Sequence, residues 1–264
     1  MNPNLTFLLI CSTNDLTVEN TLKSIVTTAK VMIIDGGPRK GNNSNLFSEI
    51  NLSELADKYN CIYLARKYEY AASQYNYGLS HIKTEWAFII DSDETISEKL
   101  AEWLREGSFQ KHNQFKVKRF NYFLDKRMSH GQFKPDWNVR LIKPGLCKYE
   151  DRKVHARIIS EGKISKAPGH MNHFTVTSLN NFFLKMLEFS SLEPASRLSS
   201  SHSNEIKAQV RRYLQKLPFQ PFLRFCYSYF WRFGFLDGKL GFLLAKSASF
   251  YEDLVTLRKM ESER

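Results

Sequence analysis

Apolar and polar positions come in alternating blocks along the first hundred residues. Residues 5–11 are a short apolar run closed by the polar Ser12-Thr13-Asn14-Asp15. Residues 16–29 carry Val18, Leu22, Ile25 and Val26 at helical spacing, with Thr17 as the N-cap. Residues 31–34 predict a second strand, which ends on Asp35-Gly36-Gly37-Pro38. A helix over 47–59, a third strand over 61–64 and a helix over 71–82 follow, and residues 86–90 form another apolar run of strand length. This βαβ rhythm predicts an α/β fold with a mostly parallel sheet and ligand loops at one edge. From residue 177 the pattern turns helical. Residues 179–198 are one amphipathic stretch, 199–204 a polar linker, and 205–217 a further helix stopped by Pro218 and Pro221. Residues 222–251 are densely aromatic. No internal repeat is visible. The expected division is an α/β domain over 1–176 and a helical region over 177–264.

Charge narrows the class of partner. The 264 residues have a formal net charge of +11, which favours anionic partners: nucleic acid, phosphorylated substrates or a membrane surface. Residues 111–143 carry nine Lys/Arg against two Asp, interleaved with Tyr122, Phe123, Phe133 and Trp137. Such a run is a solvated face or a binding wall for a sugar or anionic acceptor. Residues 205–246 hold eight bases and two acids among many aromatics, the composition either of helices lying on an anionic membrane surface or of aromatic core packed on the main domain. Nucleic acid is not expected, because no recognised module for it is present. The four cysteines are scattered, so a disulfide framework or zinc cluster is not expected. The first residues lack the basic start of a secretory signal, and no apolar run of about 18 residues exists to span a membrane. The expected location is a reducing cytoplasm.

The stretch richest in chemistry is Trp86-Ala87-Phe88-Ile89-Ile90-Asp91-Ser92-Asp93-Glu94. A buried strand stops there, and two carboxylates emerge spaced as Asp-x-Asp. In open α/β sheets the carboxyl ends of strands border the ligand crevice. Hard divalent cations take carboxylate oxygens together with substrate phosphates. One interpretation is a metal–diphosphate site of the kind a nucleotide-sugar enzyme needs. The other is a pair of acids at the N-terminus of a helix over 96–104.

Taken together, several segments resemble glycosyltransferase family 2, and within it the bacterial lipopolysaccharide-core β-glucosyltransferases that modify heptose. The segments are Asp91-Ser92-Asp93-Glu94, Asn121-Tyr122-Phe123-Leu124, His130-Gly131-x-x-x-Pro135-Asp136-Trp137-x-x-Arg140-Leu141, Val154-His155, His173, and Phe235-Leu236-Asp237-Gly238 with Gly241. The resemblance implies a GT-A fold, a divalent cation (Mg2+ or Mn2+), a nucleoside-diphosphate sugar donor such as UDP-glucose, a glycolipid acceptor, and inversion at the anomeric carbon. Together with the basic, aromatic stretch over 205–246, such an acceptor would place the protein peripherally at the inner face of the cytoplasmic membrane. The chain departs from the family in three places. After the first strand, where the family usually has Asn-Glu, the nearest match is Asn14-Asp15. Gly36-Gly37-Pro38-Arg39 replaces a Ser-Gly-Ser-Thr-Asp type of loop, and Val154-His155-Ala156 stands where many relatives read Val-His-Glu.

Roles follow from this resemblance. Asp93 is the first metal ligand, Asp91 reaches metal or ribose, and His173 is a third ligand or a surface loop histidine. Thr13, Asn14, Asp35 and Ser92 belong to the donor loops. Gln74 and Asn76 contact donor or merely cap and solvate their helix. Inverting transfer needs one general base for the acceptor hydroxyl. Asp136 is that base, with Asp151, Glu150 and Glu94 as rivals. Trp137, Arg140 and His155 lie on the acceptor side, and Arg140 with Lys143 would hold an anionic acceptor unless Arg140 pairs with a structural carboxylate. The alternative class is a catalytically silent scaffold on the same fold, which the missing acid at Ala156 keeps open.

Overall fold

The computed structural model describes residues 1–13, 15–38, 50–109, 112–151, 158–160, 162–199 and 219–262, without the side chains of 160 and 192–199. Asn14, Arg39, Val154, His155, Ala156 and the helix expected over 205–217 lie outside the described residues. The chain divides into two compact units. One comprises Met1–Phe120 and Asp136–Phe174; the other comprises Asn121–Pro135 and Thr175–Arg264.

The first unit is built on parallel strands β1 (Asn2–Cys11), β2 (Ala29–Asp35), β3 (Ile62–Ala65) and β4 (Trp86–Asp91), in the order β3-β2-β1-β4. The sheet continues beyond β4 through later strands. Numbered in chain order, these are β5 (Glu94–Ile96), β6 (Gln114–Phe123), β7 (Lys126–Arg127), β8 (Asp136–Ile142) and β11 (Ser165–Val176). From β4 the order is β8, β6, β11, β5, and β8 joins β4 and β6 antiparallel, as β5 joins β11. β9 (Cys147–Tyr149) and β10 (Ile158–Ser160) form a separate antiparallel pair. The α/β class is as expected. The parallel rhythm covers the first four strands, and the basic middle of the chain supplies the antiparallel β6, β7 and β8.

Strands β1 and β4 read as nearly unbroken apolar runs because both their faces are covered. Phe7, Leu9, Trp86, Phe88 and Ile90 pack towards helices α1 (Val18–Ile25), α2 (Leu52–Lys58) and α4 (Glu98–Glu106). Leu8, Ile34, Ala87 and Ile89 pack on the other face with α3 (Ala71–His81). Gly78 permits that contact: a Cβ there would stand 2.4 Å from Leu8 Cδ1.

Two local expectations change. Thr17 does not cap α1 through its side chain; its hydroxyl donates instead to the Ser92 carbonyl at 2.9 Å, tying α1 to the loop after β4. The strand-end acids do not open a helix either. β5 intervenes, and α4 begins only at Glu98, so the helix N-terminus interpretation of Asp91 and Asp93 is excluded.

The second unit holds β7, α5 (Leu179–Ser199), α6 (Gln220–Cys226) and α7 (Gly238–Ser262). A π-helical turn (Tyr227–Trp231) and a 3-10 turn (Gly234–Asp237) lie between α6 and α7. Its core gathers Phe123, Met128, Val176 and Leu244 with Phe133, Phe182 and Leu240. Among the described residues no helix is long and apolar enough to cross a membrane.

Candidate active site

Three adjacent parallel strands deliver the site. Cys11 of β1 lies opposite Asp35 of β2, and Ile10 lies opposite Asp91 of β4. The loops that follow therefore emerge side by side at the carboxyl edge of the sheet, where open α/β folds bind ligands. Asp15 ties two of them together. One oxygen of its carboxylate accepts from the Ser12 backbone N–H at 2.9 Å and from the Ser92 hydroxyl at 2.7 Å.

On the β2 side, Asp35 accepts from the Gly37 N–H at 2.7 Å and from the Tyr63 hydroxyl at 2.6 Å. The bond to Asp35 pushes the Tyr63 phenol up to about 12. Gly36 is hemmed in by the Cys11 carbonyl and Tyr68, each within 3.3 Å of where a Cβ would stand. Gln74 is fully buried beside it and donates to the Arg66 carbonyl at 2.9 Å. The Gln74 Oε1 and the Thr13 Oγ1 are buried polar atoms with no hydrogen-bond partner among the described residues. Buried acceptors and hydroxyls are ordinarily satisfied, so these two mark where a polar ligand would fit. Asn76 has a different task. It exchanges two hydrogen bonds with the Tyr149 backbone, at 3.0 and 2.8 Å, and so fastens α3 to β9 rather than facing the donor loops.

At the end of β4 the three acids part company. Asp91 accepts from Arg140 at 2.9 Å and from the Tyr75 hydroxyl. Burial pushes Asp91 towards its neutral form, but the Arg140 charge and the Tyr75 bond outweigh this and hold its carboxyl below the usual range. Glu94 is completely buried and meets Arg140 at 2.6 Å and Arg119 at 3.1 Å. Its burial, reinforced by the Asp91 charge, prevails over the two arginines and raises its carboxyl pKa. Asp93 turns the other way. His173 lies opposite Glu94 in the β11–β5 ladder, and the Phe174 N–H bonds the Asp93 carbonyl at 2.9 Å. That register sets His173 Nε2 3.4 Å from Asp93 Oδ2, with both side chains partly exposed.

The Asp93 carboxylate fits a hard divalent ion of the Mg2+ or Mn2+ kind, and the His173 nitrogen beside it suits Mn2+ better than Mg2+, which takes oxygen ligands. Such ions are held by one or two side chains while substrate phosphates and water complete the shell. Asp93 and His173 provide one oxygen and one nitrogen donor. Asp91 is committed to Arg140 and Tyr75, and among the described residues no set of three or more His, Cys, Asp or Glu side chains converges. Asp91, Asp93 and His173 therefore do not converge as a ligand trio among the described residues.

The acceptor-side residues also sort themselves. Arg119 grips Asp136 through two bonds, and Asn138 donates to the same carboxylate at 3.0 Å. Asp136 is partly buried, which would favour its neutral form. The Arg119 bonds and charge prevail and hold it below the usual carboxylate range. Arg140 is 6% exposed and spent on Asp91 and Glu94, so it presents no face to an acceptor. Those two acids overcome the cost of its burial and lift its pKa further. Lys143 pairs with Glu85 at 2.9 Å. Trp137 is 41% exposed, with Lys166 Nζ 5.1 Å from its ring centroid. Asp151, a rival base, accepts from Tyr70.

Sequence reasoning missed Tyr75 and Arg119. Arg119 and Tyr75 give no local signal, because their partners lie far away in the chain. Asp15 is visible in the sequence only as the second residue of Asn14-Asp15, the nearest match to the family's Asn-Glu.

No protein-family model matches the chain. It is 24% identical over 254 residues to the lipopolysaccharide core biosynthesis glycosyltransferase LpsC of Rhizobium meliloti, an alignment covering 95% of this chain and 89% of the relative. Among solved structures it is similar to the mannosyltransferase PcManGT from Pyrobaculum calidifontis in complex with GDP-Man and Mn2+. The TM-score there is 0.51 at 9% identity, over 100% of this chain and 89% of that one. Similarity to S. aureus TarS has a TM-score of 0.43 at 14% identity; this chain spans 46% of that protein.

Proposed function

Since this chain is a glycosyltransferase of the family 2 type on a GT-A fold, we propose that it transfers a hexose, glucose, from UDP-glucose to a lipopolysaccharide-core or related surface-glycan acceptor, with inversion. The observation that carries this reading is the Asp93–His173 pair at the end of β4, beside donor loops with two unsatisfied buried polar atoms. The relative's role in lipopolysaccharide core biosynthesis supports the acceptor class. The neighbour's complex with GDP-Man and Mn2+ supports a nucleotide-sugar donor and a divalent ion. A silent scaffold is not favoured: it would have no use for a strand end with this arrangement of acids.

Asp93 and His173 would hold the cation, which would neutralise the leaving diphosphate as a Lewis acid. Thr13, Asp35 and Gln74 would receive the nucleoside. Arg140, by offsetting part of the charge of Asp91 and Glu94, lessens the repulsion between the strand end and a diphosphate. Asp136 would accept the proton of the attacking hydroxyl. Its carboxylate is ionised at neutral pH, fixed by Arg119 and 43% exposed, so its outer lone pairs can meet an acceptor. Trp137 would stack against an acceptor sugar. Lipid-borne acceptors place the enzyme peripherally at the inner face of the cytoplasmic membrane.

A thermal-shift panel tests the donor assignment, since a ligand that binds only the folded state raises its melting point. UDP and UDP-glucose should raise it in the presence of Mn2+, and chelator should reverse the gain. Indifference to every nucleoside diphosphate would refute it.

A further inference from the structure

The second unit exposes an unusual surface. Phe222 (64%), Phe230, Trp231 (77%), Phe233 and Leu236 are all largely solvent-exposed, within fifteen residues of chain. Phe230 and Phe233 are joined by ring contacts through Tyr229 and Phe235. Phe225 stacks on Tyr229 at 5.4 Å; Tyr229 meets Phe230 at 5.1 Å and Phe235 at 6.2 Å; Phe233 meets Phe235 at 6.1 Å. Soluble monomers seldom leave so much connected apolar surface in water.

The surface is also rigidly built. Gly241 lets the 3-10 turn lie directly on α7: a Cβ there would stand 1.8 Å from the Gly234 carbonyl. Gly234 in turn abuts the π-helical turn, where a Cβ would stand 2.7 Å from the Ser228 carbonyl. Asp237 receives the backbone N–H groups of Ser129 and His130 and the His130 ring. The Gly131 N–H bonds the Arg232 carbonyl at 2.9 Å. Phe233, a bulky residue, is held at φ +57 with its ring out in solvent. A left-handed backbone is costly for such a side chain, and the surrounding framework maintains it. Strain spent on displaying a phenylalanine ring to water calls for something to receive that ring.

Charge decides what does. Residues 219–246 contain Arg224, Arg232, Lys239 and Lys246 against one acid, Asp237, which is turned inward to Ser129 and His130; Arg224 lies 3.9 Å from Glu252, which leaves Arg232, Lys239 and Lys246 to set the sign of the surface. Rings flanked by cations match an anionic lipid headgroup layer: aromatic bodies settle at the interface while basic groups meet phosphate.

We propose that the π-helical turn and the turn after it, with Phe230, Trp231, Phe233 and Leu236 at their tip, form a preformed wedge that inserts into an anionic lipid surface. The inference rests on the membrane-side location above for its setting, and it names the element that inserts. In contrast to a flexible basic tail, a wedge of this kind loses little conformational freedom on binding.

The test uses the full-length protein with phosphatidylglycerol–phosphatidylcholine vesicles whose chains carry bromine, a contact quencher of tryptophan. Wild-type fluorescence should fall on vesicle binding, and Trp231→Phe should abolish most of that fall. Phe233→Gly should leave the melting point unchanged or higher, because glycine suits this backbone, yet weaken vesicle binding roughly tenfold. Phosphatidylcholine alone should bind far less. Vesicle binding with Trp231 unquenched would overturn the wedge while leaving the membrane location standing. No vesicle binding by folded, transferase-active protein would overturn both, and the transferase reading would survive. A dimer that Trp231→Phe dissolves, with no lipid binding, would assign the surface to a second copy of the chain and also overturn the proposal.

Discussion

Arg119 grips Asp136 with two N–H···O bonds of 3.0 and 2.8 Å, and its remaining nitrogen reaches Glu94 at 3.1 Å. Glu94 passes the contact to Arg140, and Arg140 to Asp91. Alternating charges thus run unbroken from the end of β4 to the start of β8. The acid assigned to the acceptor hydroxyl is thereby coupled to the acids beside the donor. A planar guanidinium can serve two carboxylates at fixed angles; an ammonium cannot.

Arg119→Lys should therefore keep the charge and lose the fork. Turnover is expected to drop about 10–100-fold from misplacement of Asp136, with nucleotide affinity unchanged. Initial rates beside calorimetric titration of UDP check this. Unaltered turnover would mean that Asp136 needs no clamp.

Glu94 is the hub of this network, and its loss leaves two arginines short of a partner in the interior. Glu94→Gln should destabilise the fold by about 3–5 kcal/mol, the usual result of breaking a buried pair from one side. Urea unfolding measures it; a change under about 1 kcal/mol would contradict the network's structural role.

Asp136→Asn preserves shape and removes the base, so turnover should fall by roughly 10²–10⁴ while donor binding persists. The same variant has a pH signature. Asp136 titrates below its unfolded value of about 3.9, so the unfolded chain takes up its proton first as acid is added. Its contribution to stability is complete above that value and disappears as pH falls through the lower folded value. The melting-point gap between wild type and Asp136→Asn should therefore be constant near neutrality and close below about pH 4. A gap that widens in acid would reverse the assigned shift.

The strand end at Asp91-Ser92-Asp93 was legible because an apolar run buried on both faces must stop where the acids begin. The parallel half of the sheet was legible for the same reason. Arg119 was not, and for Arg140 a structural carboxylate was one of two open alternatives. Arg119 and Arg140 sit in a stretch whose composition reads as a solvated basic face, yet Arg140 points inward, because its acids come from β4 and β5, more than forty residues away. Asn76 has the look of a donor contact from its place on α3, and only the fold reveals that Tyr149 needs it. His173 was reachable through family resemblance alone; what places it beside Asp93 is the β11–β5 register, which no local pattern encodes. The Phe235-Leu236-Asp237-Gly238 motif with Gly241 was visible as a pattern, but its physical basis is close backbone packing, which appears only in three dimensions.

The most direct test of the central claim is transfer of radiolabelled glucose from UDP-glucose to a truncated lipopolysaccharide-core acceptor by the purified protein with Mn2+. Label should appear in the acceptor, and transfer should be lost on chelation and in Asp93→Ala with the melting point preserved. Wild-type transfer by Asp93→Ala in excess chelator, or a folded wild-type protein that moves sugar from no nucleoside-diphosphate donor, would contradict it.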